Sequence, residues 1–160
     1  MKHLILALAF LTSFAALADD DLKPAQEEAK EKFETEIADG LKAMNEKCGT
    51  KIAMTVDWKN YNDEAVKAAN ISFSSYCVGA LVDPVASMCD RPAYKKAIAK
   101  KLTALKCLVT GGKAKGKDQS SADYTMSHMK FEKGTFTYNL QFDHSNLNDN
   151  GKAVLEKAFN

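Results

Sequence analysis

Four cysteines, Cys48, Cys77, Cys89 and Cys107, follow an apolar leader that contains none, and this combination constrains the fold more than any other feature. The leader is MKHLILALAFLTSFAALA. Lys2 and His3 open it, Leu4 to Leu11 form an apolar run, and Ala16-Leu17-Ala18 is a small-x-small cleavage site. That is the layout of a secretory signal peptide over residues 1–18, with the mature chain starting at Asp19. The run is too short to cross a bilayer and no later segment is long enough. The expectation is an exported protein, periplasmic or secreted, without a transmembrane segment. In an oxidising compartment an even number of cysteines reads as two disulfides. Their spacing contains no C-x-x-C, which argues against a zinc knuckle or a thioredoxin-like pair.

Residues 19–160 have the size of one domain, large enough to build a core. Residues 22–48 read as a helix, because Leu22, Ala25, Ala29, Phe33, Ile37, Leu41, Met44 and Cys48 recur at three- and four-residue steps. Gly49 follows as a C-terminal stop. Lys51 to Trp58 alternates as a half-buried strand, with Ile52, Met54, Val56 and Trp58 inward. Asn62 caps a helical region that runs to about Cys89, broken near Asn70 and bent or ended at Pro84. Pro92 opens a helix to about Lys101, and Leu102–Thr110 reads as a strand. After a Gly- and Lys-containing loop at 111–122, strands are expected at Tyr124–Phe131 and Thr135–Phe142, with a turn at Glu132-Lys133-Gly134. A last helix spans about Asn148 to Phe159. The order α-β-α-α-β-β-β-α implies an α+β two-layer sandwich: a mostly antiparallel sheet of about four strands, with helices on one face.

Geometry narrows the disulfide pairing. Cys77 and Cys89 on one straight helix would stand roughly 18 Å apart, too far to bond. The helix from Pro92 and its returning strand bring Cys107 back toward Cys89, favouring Cys89–Cys107 and Cys48–Cys77.

Charge is where function is most visible. Lys2 is the only charged side chain in the leader, so the mature chain carries 21 basic and 21 acidic side chains. They are segregated: residues 19–39 hold nine acids and three lysines, whereas 91–117 hold nine basic side chains and no acid. Lys95, Lys96 and Lys100 spread over about 140° of one helix face. Lys113, Lys115 and Lys117 sit in the following loop. Such a lysine face collects anions, here an anionic envelope component or an acidic protein. A solvated face, or one neutralised by the acidic first helix, is the plain alternative. The tract lacks interleaved aromatics, so nucleic acid is not an expected partner.

Catalytic signals are sparse. His128 and His144 alone survive removal of the leader, and no G-x-S-x-G elbow is present. Ser120 and Ser121 lie in the loop, and Asp143-His144 is a neighbouring acid–base pair at a strand end. Asn146 to Gly151 places oxygen ligands and a glycine as a calcium loop does, but Lys157 stands where the twelfth-position acid belongs. Asn70-Ile71-Ser72 fits the glycosylation acceptor pattern. No cofactor or metal is expected. The sequence therefore points to a small non-catalytic binding protein. A protein inhibitor or immunity-type partner is the first alternative, and a small hydrolase using His144 and Asp143 the second.

Overall fold

The computed structural model describes residues 22–68, 71–109, 121–140 and 144–160, so the leader lies outside the described residues. Helix α1 is Pro24–Cys48. Pro24 occupies its first turn, the Lys23 N–H donates to Gln26 Oε1 at 3.0 Å, and Gly49 ends it at φ 69°. A side chain at that φ would be strained, which is why glycine terminates the helix here. Strand β1 (Ala53–Val56) is shorter than the alternation implied. Trp58 leaves it for a 3-10 turn, Trp58–Asn60, yet stays buried. Its ring stands 5.5 Å from Phe33 and 5.9 Å from Phe73, so it pins the N-terminal half of α1.

Helices α2 (Asp63–Ala68) and α3 (Phe73–Cys77) are separate, as the expected break implied. Pro84 does not end the next segment. A π turn, Val78–Val82, joins α3 directly to α4, Asp83–Met88. Proline has no N–H and crowds the preceding turn, and the wider π turn makes room for it. Asp83, at that junction, has its carboxyl pushed above the ordinary range by partial burial. A raised folded-state pKa means the folded protein holds the proton more tightly, so stability is lost as pH rises through that window. Asp83→Asn should therefore gain a few tenths of a kcal/mol near pH 7 and nothing at about pH 3, read by urea melts at both.

Helix α5 (Pro92–Lys101) leads into β2 (Ala104–Val109). The segment expected as a strand from Tyr124 divides into helix α6 (Ala122–Ser127) and strand β3 (Met129–Glu132). The Ser121 hydroxyl accepts from the Tyr124 N–H at 3.2 Å, a cap that starts a helix where the short apolar alternation read as a strand. Strand β4 is Thr135–Leu140 and helix α7 is Leu147–Phe159. Lys133 and Gly134, at φ 49° and 82°, form the two-residue turn of the β3–β4 hairpin.

The sheet is mixed rather than mostly antiparallel. Its order is β1-β2-β4-β3, with β1–β2 and β2–β4 parallel and only β3–β4 antiparallel. The connections explain this: the long helical crossover from β1 returns the chain in the same direction as β2, whereas β3, reached through α6, runs opposite to β2 and the hairpin then brings β4 back parallel to it. One sheet face carries buried Leu105, Cys107, Val109, Phe136, Tyr138 and Leu140, packed under the helices. The other presents exposed Lys106 and half-buried Thr135, Thr137 and Asn139. Two layers with helices on one side are thus realised.

The disulfides are Cys48–Cys89 and Cys77–Cys107, not the pairing that local return favoured. The C-terminal ends of α1 and α4 meet at the first. The second ties the end of α3 to the central strand β2, because α3 and the π turn lie across the sheet. The incompatibility of Cys77 with Cys89 holds; the choice between the two remaining arrangements was decided by long-range packing.

Candidate functional site

Helix α5 is seated by Ile98, which is fully buried, and by half-buried Tyr94. Its basic side chains fall into two groups. Arg91 is held: its guanidinium lies 4.1 Å over the Tyr94 ring and 2.5 Å from Glu156. Lys101 sits 5.5 Å over the Phe159 ring. Lys95, Lys96 and Lys100 are exposed, and none of them forms an ion pair with a carboxylate among the described residues. Lys113, Lys115 and Lys117 lie outside the described residues.

The acids lie elsewhere. Both ends of α5 meet the C-terminal end of α1. Cys89 bonds Cys48 just before α5 begins, Lys47 pairs with Asp90 at 2.8 Å, and residues 99–103 face residues 49–52. Glu27, Glu28, Glu31, Glu34 and Glu36 occupy the N-terminal half of a helix of 25 residues, Asp39 stands just past its middle, and Glu46 alone among the acids of α1 lies in its last turn. At 1.5 Å per residue Glu28 stands roughly 29 Å along the axis from Lys47. Asp63 and Glu64 belong to the same acidic end. There the Lys67 ammonium has its pKa raised by its hydrogen bond and charge pairing with Asp63, with smaller contributions from Glu28 and Glu64. The acidic half of α1 thus lies away from the end that meets α5, and Lys95, Lys96 and Lys100 form no ion pair with it among the described residues.

Between the end of α5 and the segment after α1 lies a shallow, open depression lined by Gly49, Thr50, Lys51, Ile52, Ala99, Leu102 and Thr103. Ile52 and Leu102 are buried in its floor, and Ala99 and Lys51 are exposed on its two walls. Lys95 and Lys96 stand one turn before Ala99 on the same helix face. Lys51 had been a simple outward residue of a strand in the sequence. Its approach to α5 follows from the parallel register that sets Ala53 against Ala104, for which no local pattern exists.

The histidines form a separate cluster. The rings of His128 and His144 are 4.9 Å apart, and Tyr124 packs on both, at 4.6 Å and 5.2 Å. His128 Nδ1 lies 3.0 Å from the Tyr124 carbonyl oxygen, and His144 Nδ1 lies 2.8 Å from the Tyr138 hydroxyl. His144 is 5% exposed, so this corner packs the imidazole inside rather than offering it to a substrate. Asp143, its intended partner, lies outside the described residues, as do Ser120 and Asn70. Ser121 is the cap of α6. The calcium-like stretch is helical instead: Asn146 is the N-cap of α7, Asp149 pairs with Lys152 at 2.6 Å, and the Asn150 amide donates to the Ser145 carbonyl at 3.0 Å.

No protein-family model, curated protein or solved structure matches this chain.

Proposed function

We propose that this chain is an exported, non-catalytic binding protein that holds an anionic partner, an envelope component or an acidic protein, against the lysine face of α5. One observation carries the reading: Lys95, Lys96 and Lys100 stand exposed without carboxylate partners among the described residues, while the acidic half of α1 lies away from the end that meets α5. A solvated cluster with its own acids alongside would be self-neutralised; this one retains its field. Export is part of the proposal, resting on the leader and on two disulfides.

The test is affinity capture from an envelope extract of the native host, using the mature chain as bait at low and high salt. A partner should be retained at about 50 mM salt and largely lost at about 500 mM, where the Debye length shrinks to a few ångströms. The variant Lys95→Glu, Lys96→Glu, Lys100→Glu should lose it even at low salt. Retention by that variant, or at high salt, would overturn the proposal.

A further inference from the structure

We infer that strand β3 is a pairing surface for a second copy of this chain, which joins it antiparallel about a two-fold axis at Phe131. β3 is an edge strand: one side meets β4, and the other meets no strand among the described residues. The hydrogen-bond pattern says which main-chain groups face outward. The Asn139 N–H donates to the His128 carbonyl at 2.8 Å, which makes 128 and 139 a hydrogen-bonded pair. Such pairs alternate along an antiparallel ladder, so Lys130 with Thr137 and Glu132 with Thr135 are the next two. Met129 and Phe131 therefore turn their N–H and C=O groups away from β4. Among the described residues no hydrogen bond takes those groups up.

Charges on an exposed edge commonly keep copies of a protein apart, because like meets like. Here they are arranged the other way. Lys130 and Glu132 stand on the helix-free face, opposite Thr137 and Thr135, one on each side of Phe131. A two-fold axis at Phe131 sets each Lys130 against Glu132 of the other copy, and the two Phe131 main chains exchange both outward hydrogen bonds. Lys130 and Glu132 then form a non-hydrogen-bonded pair, the arrangement in which side chains approach more closely. Moving the axis one residue, to Lys130, would set lysine on lysine. The charges thus select one register. Their ion pair within one strand, at 3.0 Å, leaves the side chains 68% and 60% exposed, so it is screened by solvent and adds little. Beneath the edge, half-buried Phe131 packs edge-on against half-buried Phe159 at 5.1 Å, and the axis brings the two Phe131 rings side by side. The opposite edge, β1, carries Ala53 and Thr55 on its exposed face and has no charge there to select a register.

The experiment is sedimentation velocity on the mature, disulfide-intact chain from about 10 μM to about 1 mM, the range suited to a small interface. The parent should dimerise as its concentration rises. Lys130→Glu and Glu132→Lys each turn two attractive pairs into two repulsive ones, and each should weaken the dimer about tenfold or more. Mixed together, the two variants should associate as the parent does, because each supplies the charge that the other lacks. The double variant, Lys130→Glu with Glu132→Lys, should recover self-association. Both side chains are more than half exposed, so these changes leave the fold intact. In the ¹⁵N-labelled chain, exchange of the Phe131 amide with deuterated solvent should slow as the dimer forms.

A parent that stays monomeric at about 1 mM would overturn the inference. So would a dimer that either single reversal leaves intact, a mixture or double variant that fails to recover association, or a Phe131 amide whose exchange ignores concentration. None of these outcomes bears on the lysine face of α5.

Discussion

Replacing Cys77 and Cys107 together by alanine should cost the domain about 4–5 kcal/mol, against about 3–4 kcal/mol for Cys48 with Cys89. Chain entropy alone does not separate the bridges, because their sequence separations of 30 and 41 give nearly equal loop-closure contributions. Position does. Cys77 and Cys107 are both fully buried, and Cys107 lies mid-strand in β2, paired to β1 and to β4 on its two sides. Removing those sulfurs opens a void between the helical layer and the sheet centre, where neighbours on a packed strand relax little. Cys89 is 5% exposed at the end of α4, where terminal turns can adjust. Urea unfolding of the two double variants measures the difference. An equal or larger loss for Cys48 with Cys89 would contradict this account.

The connectivity itself is checkable. No Lys or Arg lies between Cys77 and Cys89, so trypsin leaves them on one fragment, but cleavage at Met88 separates them. A Cys48 fragment linked to the Cys89 fragment is the expected product.

Much of the fold was legible because local rules decided it. The stripe from Phe33 to Cys48 and the glycine after it are complete in themselves, and α1 ends where they say. The alternation of Phe136, Tyr138 and Leu140 became the buried face of β4. The failures share a cause. Strand direction depends on where a crossover lands, and the segment from Trp58 to Thr103 contains nothing that states its landing point. At Tyr124 a period of two and a single helical turn fit the same residues, and a serine hydroxyl broke the tie. The chosen cysteine pairing used sequence nearness, whereas Cys48 meets Cys89 through the packing of two helix ends.

The lysine face was half legible. Exposure of Lys95, Lys96 and Lys100 follows from Ile98 and Tyr94 facing inward, which the helical period states. That Arg91 and Lys101 would be taken up by α7, through Glu156 and Phe159, has no trace in the sequence. Nor has the approach of Lys51. His128 and His144, too few to signal catalysis in the sequence, are neighbours in a packed corner, a contact with no local trace.

Gly151→Ala should destabilise the protein by about 2 kcal/mol, whereas the same change at Gly40 should stabilise it by about 0.5–1 kcal/mol. Both glycines lie inside helices, so alanine removes the same backbone entropy cost from each. Surroundings set the sign. A Cβ at Gly40 meets nothing within 4 Å. A Cβ at Gly151 would lie 2.5 Å from Pro84 Cγ and 2.9 Å from the Ala80 carbonyl oxygen. Neither neighbour can swing aside: one is a ring locked to the backbone, the other is backbone itself. Helix α7 must move off α4 and the π turn, or the π turn must deform, and overpacking of this kind costs about 1–3 kcal/mol or more. That outweighs the gain in helix propensity of about 1 kcal/mol. Gly151→Val, bulkier and β-branched, should lose more than alanine does. Thermal melts of the Gly40 and Gly151 alanine variants should move in opposite directions, by several degrees for the Gly151 change. A Gly151→Ala protein as stable as the parent would mean that α7 does not lie against Pro84 this closely.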